Sequence, residues 1–161
     1  MAEVHTGESA TNAVRIVSAR EIDHEIASYE YDESSGAEDA ATKLGVDPEV
    51  VYKTLVAMGD RSGVAVFCVP ANCELDLKKA ARVSENKSVH LVAVRELKPL
   101  TGYVRGGCSP IGMKRQYPTY LEELAQGQER IYINAGRRGL QMLLSPVDLV
   151  ALTQGEFADL V

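Results

Sequence analysis

Three short stretches of the chain hold residue types that can do chemistry. Lys53 stands in the middle of "VVYKTLVAM", a run otherwise fit for a buried strand. A lysine there must snorkel out to solvent or find an anion. Aimed into a cleft, its ammonium suits a phosphate or a polarised carbonyl. Thr54 follows it and points to the other face of a regular strand. In "GYVRGGCSPIGMKR", residues 102–115, Gly106 and Gly107 sit among basic residues, followed by Ser109 and Pro110. Successive free amides in such a loop can form a nest for an anion or a developing oxyanion. In "NAGRRGL" a turn presents Arg137 and Arg138 between two glycines, a pattern suited to phosphate pairing. Each stretch also has a plain structural reading: an edge-strand lysine, a connecting loop, a solvated hairpin tip.

Nucleophilic chemistry is poorly provided for. His5 falls in a polar tail, His24 in a turn and His90 in a strand, none with an obvious Ser or Cys partner. Of the three cysteines, Cys68 reads as core, while loop amides around Cys108 favour a lowered pKa and a reactive thiol. No Cys/His pattern has metal-ligand spacing, so no metal is expected. Asp148, in the last predicted helix, is a candidate to orient a substrate amine.

The elements that must position these groups follow from composition and periodicity. The 161 residues suit one domain, with 45% hydrophobic and 25% charged residues, and aliphatic side chains must build the core because tryptophan is absent and phenylalanine occurs only at Phe67 and Phe157. Residues 1–10 read as a disordered polar tail and 11–161 as a single domain. A helix over 13–22 is capped by Ser9 or Thr11, and a half-buried strand over 25–31 carries Tyr29 and Tyr31. A helix over 37–46 stops at Gly45, and strands over 50–58 and 64–70 form a hairpin. A helix over 75–84, a strand over 88–94, a helical turn ending near Pro99 and a short helix over 119–127 come next. Strands over 130–136 and 140–145 precede a final helix that Ser145 caps, with Pro146 at its first position. The fold class is mixed α/β (α+β), with a curved, mostly antiparallel sheet and surrounding helices.

Charge is unevenly spread. The net of −6 divides into −9 over residues 1–60, with 13 acidic and 4 basic residues, and +7 over residues 78–138, with 12 basic and 5 acidic. The total argues against indiscriminate nucleic-acid binding, while the basic half leaves room for a local anionic ligand or for a plain salt-bridged surface. No stretch has the length and apolarity of a membrane span, the start lacks a signal-peptide core, and an odd cysteine count fits a reduced cytoplasmic setting.

Taken in order, "VYKTLVA", "LDLKKAA", "GYVRGGCSPIGMKR", "IYINAGRRGL" and the closing "SPVDL" and "EFADLV" resemble the YbaK family of aminoacyl-tRNA deacylases, over nearly all of the chain after about residue 12. The resemblance implies a free-standing editing domain related to the insertion domain of bacterial prolyl-tRNA synthetases. It implies removal of a mischarged amino acid, most typically cysteine from tRNA(Pro), beside prolyl-tRNA synthetase and without metal or organic cofactor. It gives the key role to Lys53, catalytic roles beside it to Gly106, Gly107 and Ser109, and substrate-binding roles to Thr54, Tyr29 and Asp148. Gly36 stands where the family often has an aromatic residue and Asn134 where it often has a small hydroxyl, both as pocket-lining positions. The implied mechanism has the substrate cysteine's own thiol attack its ester, with Lys53 on the 3′-terminal phosphate or ribose region and glycine-loop amides on the oxyanion. Water attack on another small amino acid, a tRNA- or synthetase-binding module without turnover, and a nucleotide-phosphate binder stay open.

Overall fold

The computed structural model describes residues 3–5, 11–34 and 36–161. In chain order the elements are β1 (Glu3–His5), α1 (Asn12–Ala19), β2 (His24–Ser28), α2 (Ala37–Leu44), β3 (Tyr52–Gly59), β4 (Gly63–Pro70), α3 (Leu77–Val83), β5 (Val89–Leu91), α4 (Val94–Thr101), β6 (Thr119–Glu122), β7 (Ile131–Asn134), β8 (Leu140–Leu144), α5 (Pro146–Thr153) and β9 (Glu156–Ala158). The fold is mixed α and β, as the sequence implies. The strands form two sheets rather than one: β1-β2-β8-β7, wholly antiparallel, and β5-β3-β4-β6-β9, in which β6 runs parallel to both β4 and β9. A single parallel bridge from Val51 to Tyr132 joins them.

The main core lies between the sheets. Val66, Cys68 and Leu121 face Ile131, Ile133, Met142 and Leu144, with Ala13, Val14 and Val17 of α1 and Leu149 and Leu152 of α5 completing the cluster. Thr11 caps α1, its Oγ1 accepting from the Val14 amide at 3.1 Å while donating to the Ala135 carbonyl at 2.6 Å. That second bond ties the helix start to the β7–β8 turn. Gly45 ends α2 in the left-handed conformation, and Ser145 with Pro146 opens α5, as the sequence predicts.

Four expectations change. Within the predicted tail, Glu3–His5 pairs with β2 as an edge strand, and Ser9 lies outside the described residues. β2 stops at Ser28, so Tyr29 and Tyr31 leave the sheet instead of continuing it. The helix expected over 119–127 is a strand followed by a five-residue 3-10 turn, Glu123–Gly127. Leu121, Leu124 and Ala125 have helical spacing, but parallel pairing with β4 buries Leu121 and wins. Finally, α4 runs through Pro99 to Thr101, where the Gly102 amide closes on the Lys98 carbonyl at 2.8 Å. Only one helical hydrogen bond is forfeited at the proline so close to the helix end.

Candidate active site

β5 covers only Ala57–Gly59 of β3, so the first half of β3 borders the split between the sheets. That open border explains how Tyr52, Lys53, Thr54 and Leu55 all line one cavity, of about 270 Å³. The other walls are Tyr29 and Tyr31 beyond β2, Gly36, Ala37 and Ala40 at the start of α2, Arg105, Gly106 and Cys108 of the glycine loop, and Asn134 and Gln141 of the β7–β8 hairpin. Lys53 is half-buried, and its side chain has no ion pair or hydrogen bond among the described residues. Its ammonium is therefore an uncommitted positive charge inside a concave site. Thr54 turns its hydroxyl toward the Cys68 thiol across the β3–β4 pair, at 3.9 Å.

The glycine loop is shaped by close contacts. Gly106 has a φ of +82°, and a Cβ there would lie 2.5 Å from the Tyr31 hydroxyl oxygen. At Gly107 a Cβ would lie 2.9 Å from the Arg138 amide nitrogen. Only glycine lets three segments approach this closely. The Gly106–Gly107 peptide is already used at both ends: its carbonyl accepts from the Asn134 amide at 2.9 Å and its N–H donates to the Val104 carbonyl at 2.9 Å. The Gly107 amide is therefore not an oxyanion donor, contrary to the sequence reading. The Gly106 and Cys108 amides, by contrast, have no partner among the described residues.

Of the remaining predicted residues, Gly36, Tyr29 and Asn134 reach the cavity and Ser109, Asp148 and Arg137 do not. Ser109 is fully buried and its Oγ accepts from the Ile111 amide at 3.2 Å, so it holds the loop's shape. Asp148 lies in the first turn of α5. Asn134 lines the wall, but its side chain also staples two loops. Its Nδ2 donates to Gly106 and Arg137 carbonyls, and its Oδ1 accepts from the Gly136 and Arg137 amides. Around Gly36 a Cβ would meet nothing within 4 Å, so this wall is open where a larger residue would narrow it.

The two buried thiols are poor nucleophiles. Burial pushes Cys108 up to about 11 and Cys68 up to about 12, overriding any help from loop amides at Cys108. Burial also raises the Tyr29 hydroxyl, against the opposing pull of the Gln141 amide. Sequence reasoning missed the wall residues Tyr31, Tyr52 and Arg105 and, most consequentially, Gln141. It is 5% exposed, lines the cavity, and its Oε1 is buried with no hydrogen-bond partner. The signal was a single polar residue inside "LQMLLS". Among the described residues no group of three or more His, Cys, Asp or Glu side chains comes together to hold a metal. No helix of the described residues is long and apolar enough to cross a membrane.

The family profile for an aminoacyl-tRNA editing domain matches residues 32–152. The chain belongs to that family. This editing domain is 44% identical over 151 residues to EbsC of Enterococcus faecalis, a protein named as a candidate Cys-tRNA(Pro)/Cys-tRNA(Cys) deacylase; the match covers 93% of this chain and 92% of that one. It is 28% identical over 107 residues to a proline–tRNA ligase of Shouchella clausii, covering 66% of the editing domain but 19% of the ligase. Among solved structures, a candidate trans-editing enzyme for prolyl tRNA synthetase superposes with a TM-score of 0.77 at 28% identity, over 95% of this chain and 98% of that chain. The fold also matches the hypothetical protein APE2540, with a TM-score of 0.84 at 22% identity over 93% and 99% of the two chains.

Proposed function

We propose that this editing domain is an aminoacyl-tRNA deacylase that removes mischarged cysteine from tRNA(Pro), working beside prolyl-tRNA synthetase in the cytoplasm. The observation that carries the reading is the uncommitted Lys53 ammonium, which shares a cavity with two unpaired loop amides and an orphan glutamine carbonyl. An aminoacyl ester offers a matching set of groups. Its α-ammonium donates to Gln141 Oε1 once that side chain turns toward the cavity, its carbonyl oxygen takes the Gly106 and Cys108 amides, and its ribose side lies against Lys53. The kinship with a named deacylase and with part of a proline–tRNA ligase supports the substrate class.

The ester is already activated, so the site need only orient it and stabilise charge developing on oxygen. One well-placed donor of this kind is worth about 3–4 kcal/mol. The buried thiols offer no protein nucleophile, and the substrate supplies its own. Its thiol sulfur bonds to the ester carbonyl carbon, the carbon–oxygen bond to the ribose breaks, and the thiol proton passes to the ribose oxygen. A cyclic thiolactone leaves. Holding sulfur and carbonyl in one small cavity provides the advantage that a catalytic base and nucleophile give elsewhere.

The open wall at Gly36 favours a second reading, in which water attacks the ester of another small amino acid. Rates on Cys-, Ala- and Ser-tRNA(Pro) separate the two, since fast release of serine excludes a thiol-dependent route as the sole chemistry. Lys53→Ala and Lys53→Arg test the site itself. Both are expected to lose about 10²-fold or more in kcat/KM, and near wild-type rates in both remove Lys53 from the mechanism. Stoichiometric tRNA binding with no loss of ester identifies a binding module instead.

A further inference from the structure

Beside the cavity lies a guanidinium pair that the reading above leaves unused. Arg105 is on the cavity wall. Arg138, from the β7–β8 turn, lies with its guanidinium carbon 5.3 Å from the centroid of the Tyr31 ring, and its Nε donates to the Arg105 carbonyl at 2.9 Å. One face of the guanidinium is thus fixed by the aromatic ring and one N–H by the glycine loop. The two terminal nitrogens keep their donors. Among the described residues neither arginine forms an ion pair; the pairs there are Lys43–Asp39, Lys79–Asp159 and Arg130–Glu25. Asp32, beside Tyr31 in sequence, spends its Oδ1 on the Ser34 amide and hydroxyl.

A planar cation held on two sides beside a cavity, with its forked edge free, is built for an oxyanion with two oxygens. We propose that Arg138, with Arg105, clamps the phosphodiester linking the terminal nucleotide of the RNA to the preceding one. The inference rests on the deacylase reading and names the contact that makes the site take an RNA end rather than a free amino-acid ester. It also singles out Arg138 over Arg137: neither lines the cavity itself, but Arg138 alone lies over the Tyr31 ring and bonds the Arg105 carbonyl, both on wall residues.

The test compares charged full-length tRNA with an aminoacyl ester of adenosine, which has no phosphate. Arg138→Ala is expected to raise KM for the tRNA by about ten-fold, with a much smaller change for the adenosine ester and kcat for the tRNA nearly kept. The slope of log KM against log salt falls by about 0.7 for one lost single-strand phosphate contact. Arg138→Lys recovers only part of the loss, because an ammonium cannot stack, bond the carbonyl and fork onto phosphate together. Equal losses on both substrates, or an unchanged salt slope, overturn the clamp and leave Arg138 as a loop support. Should the wild-type protein deacylate neither substrate, the deacylase reading fails. The clamp is then judged by fluorescence anisotropy with an uncharged CCA-ended oligonucleotide, where unchanged affinity in Arg138→Ala overturns it and weaker, less salt-dependent binding upholds it.

Discussion

At Gln141 a buried carbonyl oxygen goes without a donor, which costs a folded protein about 1–3 kcal/mol. On the proposed reading a substrate ammonium recovers that cost when the side chain turns toward the cavity, and the residue then trades stability for binding. Replacing it by an apolar residue of similar length separates the two effects. Gln141→Met is expected to leave the thermal midpoint unchanged or raise it, while kcat/KM for the aminoacyl ester falls by about ten-fold. Parallel thermal unfolding and deacylation assays check this, and a variant that loses stability without losing activity would show that the oxygen has a structural partner instead. Lys53 and Gln141 differ in how far the sequence reveals them. A lysine flanked by β-branched and apolar residues announces itself, because its charge conflicts with every neighbour. One glutamine in "LQMLLS" reads as the polar face of an ordinary strand, and only the cavity shows that this face is enclosed. The choice between Arg137 and Arg138 is likewise hidden, since the direction of each side chain is set by the exact geometry of the turn.

Elements made by local signals were legible and those made by distant pairing were not. Thr11, Gly45 and Ser145 are caps that act within one turn, and each does what its type predicts. β6 and β9 are short and exist because they pair in parallel with strands far along the chain, which no window of sequence contains. Glu122 shows what holds this corner together. Its side chain is 1% exposed, and its carboxylate accepts from the Leu124 amide at 2.8 Å, the Leu160 amide at 2.7 Å and the Val161 amide at 3.2 Å. One residue thus closes the 3-10 turn after β6 and fastens the chain just beyond β9. Glu122→Ala strips three amides of their acceptor and is expected to cost about 2–4 kcal/mol, read as a lower urea midpoint. Glu122→Gln keeps one carbonyl oxygen and should fall between. If Glu122→Ala unfolds at the wild-type midpoint, the C-terminal fastening is not a stability element.

Across the whole molecule the same burial that silences the thiols makes stability depend on alkaline pH. Cys68 sits in the core between the sheets, and Cys108 and Tyr103 form a smaller cluster behind the glycine loop with Val56. In an unfolded chain the thiols ionise near 9 and the phenol near 10, whereas burial pushes Cys108 up to about 11 and Cys68 and Tyr103 up to about 12. The folded protein therefore keeps protons that the unfolded chain releases. The stability tied to these groups is fully present below pH 9 and is lost as pH rises through 11 to 12. Each thiol contributes a slope of up to about 1.4 kcal/mol per pH unit within its window. Urea unfolding should accordingly give a flat free energy from neutral pH to about 8.5 and a steepening decline above 9. Cys108→Ala is expected to lower stability at neutral pH through the lost contacts, yet to flatten the decline by one proton's worth between 9 and 11. An unaltered alkaline slope in that variant would mean that the Cys108 thiol meets water in the folded state. It would then be available as a thiolate nucleophile, and the substrate-assisted route would lose its main chemical motive.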